Sequence, residues 1–340
     1  MLASTVTGAI LGIEGYLVRV EVDVSGGVPC FRTVGLPDAA VREARERVRS
    51  ALRNSGFTFP DRRITINLAP ADVRKHGSAF DLAFAVGLMA SGEEVPVGLL
   101  AHTLLLGELA LDGGVRPVRG VLPVAAEAKR RGIEAVVVPA ENGPEAALVE
   151  GLAVYPVRSL REAADLLRGE ELPQARNPQA APQLAKELPD LCEVKGQYRA
   201  RRALEVAAAG GHNLLLSGPP GAGKTLLARR LPSILPELTF DEALEVTKVN
   251  SVAGKLLRGG GLLSTPPFRA PHHTVSWAAM AGGGPGPTPG EVSLAHRGVL
   301  FLDELPEFPR AALEALRQPL EEGSILISRV RCSVLLPARF

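Results

Sequence analysis

Gly218-Pro219-Pro220-Gly221-Ala222-Gly223-Lys224-Thr225 decides how this 340-residue sequence is read. The spacing fits G-x-x-x-x-G-K-[ST], and the flanks agree with it. Leu214-Leu215-Leu216, inside Asn213 to Ser217, reads as a buried strand, and Leu226-Leu227-Ala228-Arg229-Arg230-Leu231 reads as a helix. Strand, glycine-rich loop and helix in that order predict an α/β domain around a parallel sheet. The glycines let backbone N–H groups turn inward on phosphates at a helix N-terminus, where the dipole favours anions. Lys224 is expected to reach the β and γ phosphates, and Thr225 to offer its hydroxyl to magnesium. The stretch from Gly218 to Leu226 is therefore the expected seat of ATP and its metal.

Outward from that loop, Gly298-Val299-Leu300-Phe301-Leu302-Asp303-Glu304 is an apolar run of buried-strand length that ends in two acids. This is a Walker B pattern. Asp303 is expected to hold the magnesium, directly or through water, and Glu304 to polarise the attacking water, with Lys224 as the second catalytic group.

The chain is long enough, at 46% hydrophobic residues, to fill more than one core. From Thr5 to Arg32 alternation and turn residues predict strands, followed by a helix that Asp38 caps. Its Val41, Ala44, Val48 and Leu52 face inward, with Arg42, Glu43, Arg45, Glu46 and Arg47 toward solvent and Glu43–Arg47 in the favourable i, i+4 order. A strand at Ile64 to Leu68, an apolar helix near Asp81 to Ser91 and a strand at Leu104 to Leu109 come next. Beyond Gly120, helices and strands alternate up to a helix opened by the capping box Ser159-x-x-Glu162. Pro173, Pro178, Pro182 and Pro189 mark a linker over 169–190, between a domain at 1–168 and one at 191–340. The formal net charge of +1 announces no basic field, so nucleic-acid binding would rest on local patches. Cys30, Cys192 and Cys332 lack metal-site or disulfide spacing, and no apolar stretch has membrane-helix length. A cytoplasmic protein without membrane association is expected.

With both nucleotide elements in place, Phe268-Arg269-Ala270-Pro271-His272-His273-Thr274, Gly290-Glu291-Val292-Ser293-Leu294-Ala295-His296 and Leu316-Arg317-Gln318-Pro319-Leu320-Glu321 carry a close resemblance to the ComM/YifB family of magnesium-chelatase-like AAA+ ATPases. The resemblance covers essentially the whole chain. It implies a homo-oligomer, a hexameric ring, working as a DNA motor on single-stranded or branched DNA, with branch migration in recombination or natural transformation as the work done. Val194-Gly196-Gln197 matches the family's segment ahead of the P-loop, which implies that Val194 and Gln197 line the adenine pocket. The N-terminal domain resembles the proteolytic domain of Lon, most clearly from Leu106-Gly107-Glu108-Leu109 through Gly113-Gly114-Val115-Arg116-Pro117-Val118 to Val136-Val137-Val138-Pro139. Laid on the Lon serine motif, Lys75-His76-Gly77-Ser78-Ala79-Phe80 puts Ala79 at the nucleophile and Leu122 at its lysine, so a noncatalytic α+β module is expected. A rearranged dyad of Ser78 with Lys129 is the alternative. The last segment, Ser324 to Phe340, resembles the hairpin that precedes the sensor-1 strand in this family. The expectation is an AAA+ core incomplete at its C-terminal side, lacking sensor 1, arginine finger and lid.

Basic groups beside a glycine-rich loop and an aromatic suit sequence-independent tracking of a phosphate backbone. Lys248, Lys255, Arg258, Arg269, His272, His273 and Trp277 are the expected DNA contacts, with Arg329 and Arg331 weaker ones. Two other functions remain open at this point: the ATPase subunit of a magnesium chelatase, whose core looks similar, and a nonmotor nucleotide-binding assembly protein.

Overall fold

A computed structural model describes residues 1–175, 189–256, 261–284, 287–329 and 332–340. Most of the expected linker, Arg258, Arg331 and the tip of the loop at 285–286 lie outside the described residues, as does the side chain of Arg329. The chain divides into two compact units, Met1–Ala181 with Ser251–Gly261, and Pro182–Asn250 with Leu262–Phe340.

The first unit is built on a seven-stranded sheet of order β3-β4-β2-β1-β5-β8-β9. β1 (Leu2–Leu11) and β2 (Glu14–Ser25) form a long antiparallel hairpin, and β2 pairs antiparallel with β4 (Arg63–Ala69). β3 (Cys30–Val34) lies parallel to β4, and β5 (Thr103–Leu105), β8 (Ala135–Pro139) and β9 (Ala153–Val157) continue from β1 in parallel. The sheet is thus mixed and mostly parallel. Between them, β6 (Glu108–Leu109) and β7 (Val115–Arg116) make a short antiparallel pair. The strand expected over Leu104 to Leu109 is therefore two pieces. The break falls where Gly107, at φ 159°, donates its N–H to the Ala79 carbonyl and accepts from Leu82 N, turning the chain off the sheet.

α1 (Ala39–Asn54) begins as expected, with the Asp38 carboxylate accepting from Val41 N at 2.9 Å and Val41, Ala44, Val48, Ala51 and Leu52 buried. Arg47 departs from expectation. It leaves the solvent side and closes on Asp81, the first residue of α2 (Asp81–Ser91), every residue of which is buried. Buried branched and aromatic side chains such as Leu82, Phe84 and Leu88 each contribute about 1.5–3 kcal/mol, which makes α2 the central post of this core. The other face of the sheet is covered by α3 (Val121–Arg130). That helix comes so close that a Cβ on Gly15 would strike the backbone of Pro123 and Val124. α4 (Gly143–Ala146) is a single turn, and α5 (Leu160–Leu167) opens with the Ser159 hydroxyl accepting from Glu162 N at 3.2 Å. The returning bond of the expected capping box goes one residue further back, to Arg158 N at 2.7 Å.

In the second unit α6 (Tyr198–Gly210) leads into the glycine-rich loop, α7 (Lys224–Ala228) follows it, and α8 (Phe240–Ala253) comes next. β10 (Phe268–Arg269) and β13 (Val299–Leu300) run parallel, with Phe268 opposite Val299 and Arg269 opposite Leu300. Between them lie α9 (Trp277–Ala281), the pair β11 (Gly282–Gly283) and β12 (Thr288–Pro289), and α10 (Glu291–Leu294). α11 (Arg310–Glu314), α12 (Arg317–Glu322) and the antiparallel hairpin of β14 (Ser324–Arg329) with β15 (Cys332–Pro337) complete it. The buried strand expected at Asn213 to Ser217 is not formed. The segment pairs with no strand among the described residues, and Leu214 and Leu215 are 39% and 78% exposed. An apolar run is sealed only by lateral strands and covering helices together, and here the neighbours are missing.

Candidate nucleotide-binding site

The loop from Gly218 to Gly223 turns on two glycines in the left-handed region, Gly221 at φ +79° and Gly223 at φ +83°. A Cβ at either would meet nothing within 4 Å, so the concave side of the loop is open space rather than packed core. Gly223 caps α7, and the first helical residues are Lys224 and Thr225. The ammonium of Lys224 folds back over the loop and donates to the carbonyls of Gly218 and Pro219, both at 2.9 Å, with no ion pair to a carboxylate among the described residues. Pro219, Pro220 and Leu226 are exposed and Ala222 is half-buried.

The parallel pair β10–β13 carries the acids to this loop. The Thr225 hydroxyl donates to Asp303 Oδ2 at 3.0 Å, and the other Asp303 oxygen accepts Glu304 N at 3.2 Å. Glu304 adopts φ 56°, a conformation that costs a non-glycine residue on the order of 1 kcal/mol and turns its carboxylate out of the strand direction. That carboxylate is 3.7 Å from His273 Nδ1. Strand register explains the meeting, since His273 and Glu304 stand equally far beyond the paired Arg269 and Leu300. Phe268 stacks on Phe301 at 5.9 Å and locks that register.

The oxygens gathered at Thr225 and Asp303 are hard donors of the kind magnesium takes. Among the described residues no group of three His, Cys, Asp or Glu could hold a metal by itself. That suits an ion which keeps waters and phosphate oxygens as most of its ligands. The ammonium of Lys224, folded over a glycine-rich loop at the start of α7, suits the phosphates. The residues present therefore fit a magnesium–triphosphate.

Gln197 and Val194 part company. Gln197, at φ 52°, donates from Nε2 to Ala222 O at 3.2 Å and so reaches the loop. Val194 is 5% exposed and packs with Leu191, Leu204 and Leu227. Its side chain belongs to the small core beneath the loop.

The expected DNA contacts also separate. Arg269 is committed to a bidentate ion pair with Glu291, both bonds at 2.7 Å, which ties β10 to α10. His272 is exposed, its ring 4.0 Å from that of His273 and tilted by 36° to it, and its Nδ1 is held by Thr274. Trp277, 44% exposed at the start of Ser276-capped α9, is a surface aromatic. Lys248 is half-buried on α8, while Lys255 is exposed and falls with the first unit. The sequence reading missed Arg47–Asp81 and the buried His296, described below. Arg47 looked like one more charge on a solvated face, and nothing local marks its partner.

In the first unit, Ser78 Oγ donates to Glu108 Oε2, Lys129 Nζ donates to the Gly151 carbonyl, and Leu122 is fully buried. Ser78 and Lys129 are each bonded to another partner, and no hydrogen bond joins them among the described residues.

The family described as magnesium chelatase, subunit ChlI, matches residues 190–340, and a second, described as subunit ChlI of Mg-chelatase, matches residues 20–142. The chain is 51% identical over 333 residues to an uncharacterized protein of Mycobacterium tuberculosis, covering 98% of this chain and 66% of that protein. It is 46% identical over 343 residues to competence protein ComM of Haemophilus influenzae, covering 100% of this chain and 67% of ComM. A more distant likeness, 27% identity over 170 residues, joins 45% of the chain to 30% of Lon protease 2 of Bacillus subtilis. The chain spans about two thirds of the length of the relatives that match it throughout.

Proposed function

Because the chain belongs to the ComM/YifB family of magnesium-chelatase-like AAA+ proteins, we propose that it is the nucleotide-binding part of an ATP-driven DNA-remodelling machine acting in recombination or the uptake of DNA. The observation that supports this reading is the 3.0 Å bond from Thr225 to Asp303, which joins the end of the glycine-rich loop to the acidic segment after β13. Gly218 to Leu226 would cradle the triphosphate, Thr225 and Asp303 would hold magnesium, and Glu304 would take a proton from the attacking water. The metal supplies charge neutralisation at the β and γ oxygens when bound. Lys224 would move from the loop carbonyls to the phosphates, a short swing for a flexible stem. Residues 1–168 would form a Lon-like module for assembly or DNA handling, 169–190 a linker, and 191–340 the AAA+ core. A hexameric ring in the cytoplasm is the assembly we favour.

DNA would be contacted by His272, Trp277 and Lys248 in the second unit, and Lys255 would be a cation of the first unit taken by itself. Arg269 contributes there through the fold, by holding β10. The test is binding of the chain to single-stranded and forked DNA across a salt series, with ATP and magnesium present. Affinity should fall steeply as salt rises, because each neutralised phosphate releases counterions. No binding at low salt would overturn the motor reading.

A chelatase ATPase is the second reading, favoured by the description of the two matching families. Since the model matching residues 20–142 also names the chelatase subunit, an N-terminal domain does not separate the two. DNA binding does: a chelatase ATPase has no use for a salt-sensitive DNA surface.

A further inference from the structure

His296 closes the segment Gly290 to His296, which marks the family yet has no part in the chemistry above. Its ring is 2% exposed, and both nitrogens are used. Nδ1 accepts the backbone N–H of Arg339 at 3.1 Å, and Nε2 lies 3.1 Å from Glu245 Oε2. A nitrogen that accepts an N–H must carry a lone pair, so the proton sits on Nε2 and is donated to the carboxylate. The next residue repeats the pattern. Arg297, at φ 61°, donates its backbone N–H to the Arg339 carbonyl at 2.6 Å. Its guanidinium reaches Glu242 at 3.0 Å and Glu245 at 3.1 Å, both on α8. Gly298 and β13 follow at once, and Asp303 lies three residues beyond the end of β13. The entry to the acidic strand is thus tied on one side to α8 and on the other to the chain just beyond β15.

We propose that His296 is a positioning residue for the Asp303 carboxylate, whose neutral Nε2–H form pins the start of β13 and whose protonation on Nδ1 breaks the bond to Arg339 and loosens the grip on magnesium–nucleotide. The last step rests on the nucleotide reading given above; the pin itself does not. A proton on Nδ1 would face the Arg339 N–H, donor against donor. Glu245 would welcome the cation, but burial opposes it, as do the Arg297 and Arg339 guanidinium groups, and burial is the largest influence, holding the imidazole below its ordinary range. Glu242 faces Arg297 and completes the set of charges around the ring. With the folded value lowered, stability from His296 is fully present above the unfolded histidine range, about 6.5, and is lost as pH falls through the folded value.

The experiment joins nitrogen NMR of labelled histidine, amide exchange and ATP titration with magnesium on the 340-residue chain, from pH 8 to pH 5. The expected result is an unprotonated Nδ1 on His296 at pH 8 and a slowly exchanging Arg339 amide. Protection at Arg339 and Val299 should vanish together as His296 takes up its proton. Affinity for ATP with magnesium should drop on the order of tenfold over the same range. His296→Asn keeps an acceptor for Arg339 that does not titrate, so its affinity should lose that part of the pH dependence. Only the pH dependence belonging to ATP itself should remain. His296→Ala should lose Arg339 protection at every pH. A proton found on Nδ1 at pH 8, Arg339 protection indifferent to the titration of His296, or an unchanged pH profile in His296→Asn would overturn the proposal. If wild type binds no ATP at any pH, the nucleotide reading fails, and the tautomer and amide data still decide the pin.

Discussion

Thr225 and Asp303 lie 78 residues apart in the chain and are joined by a 3.0 Å hydrogen bond. The hydroxyl and the carboxylate meet where magnesium would take one oxygen from each, so a bound ion replaces the bond rather than adding to it. Thr225→Ala and Asp303→Ala should each weaken ATP binding about tenfold or more in magnesium, as expected for loss of a contact to a charged group, and by little in chelator. Lys224→Ala should weaken it in both. Isothermal titration with and without EDTA separates these cases, and a wild type indifferent to magnesium would sink the assignment.

Glu304→Gln should leave nucleotide affinity in place and cut turnover by about two to four orders of magnitude, the range for removing a general base. His273→Ala, which frees the Glu304 carboxylate from an imidazole 3.7 Å away, should alter turnover by a much smaller factor at unchanged affinity. Parallel binding and single-turnover assays would show it. A loss of affinity in either variant would mean that these side chains hold nucleotide rather than orient water.

Arg47 and Asp81 make a bidentate pair at 2.6 and 2.9 Å, and Asp81 also accepts Leu109 N. Burial pushes the Asp81 carboxyl up to about 6 despite the guanidinium beside it. Because the folded value is raised, the native state holds this proton more tightly than the unfolded chain between about 4 and 6. Its contribution to stability is therefore greatest below that window and declines as pH rises through 6. Arg47→Ala should cost about 3–5 kcal/mol near neutral pH by leaving a buried carboxylate unpaired, and clearly less at pH 5, where Asp81 is protonated. Urea melts at the two pH values test this, and an equal loss at both would contradict it.

Arg269→Ala should lower stability by about 1–2 kcal/mol through loss of the Glu291 pair. Trp277→Ala should leave stability unchanged and weaken single-stranded DNA binding by about 1–3 kcal/mol if a base stacks on the exposed indole. Thermal melts and DNA titrations on the same two proteins would distinguish a structural cation from a binding aromatic. The reverse outcome would exchange their roles.

Much of this was legible before any coordinates. The periodicity of Val41, Ala44, Val48 and Leu52, the Asp38 cap and the Ser159 cap are local devices, and each appears where the residues call for it. What misled was a pattern whose meaning depends on neighbours. Leu214-Leu215-Leu216 is as apolar as a buried strand, yet Leu214 and Leu215 stand exposed and Leu216 is half-buried, because burial belongs to a sheet and not to a tripeptide. Arg47 has a proper i−4 partner in Glu43 and passes it over for a carboxylate that α2 brings within reach.

From residues alone came the P-loop, the acidic strand end and the chemistry they imply, since those depend on spacing within a few residues and on the conformational freedom of Gly221 and Gly223. Only the tertiary structure decided which side chains meet: Thr225 with Asp303, His273 with Glu304, Arg269 with Glu291, and His296 with Glu245 and Arg339. Such contacts are set by strand register and helix packing over tens of residues. A charged or polar side chain takes whichever partner the fold delivers within its reach.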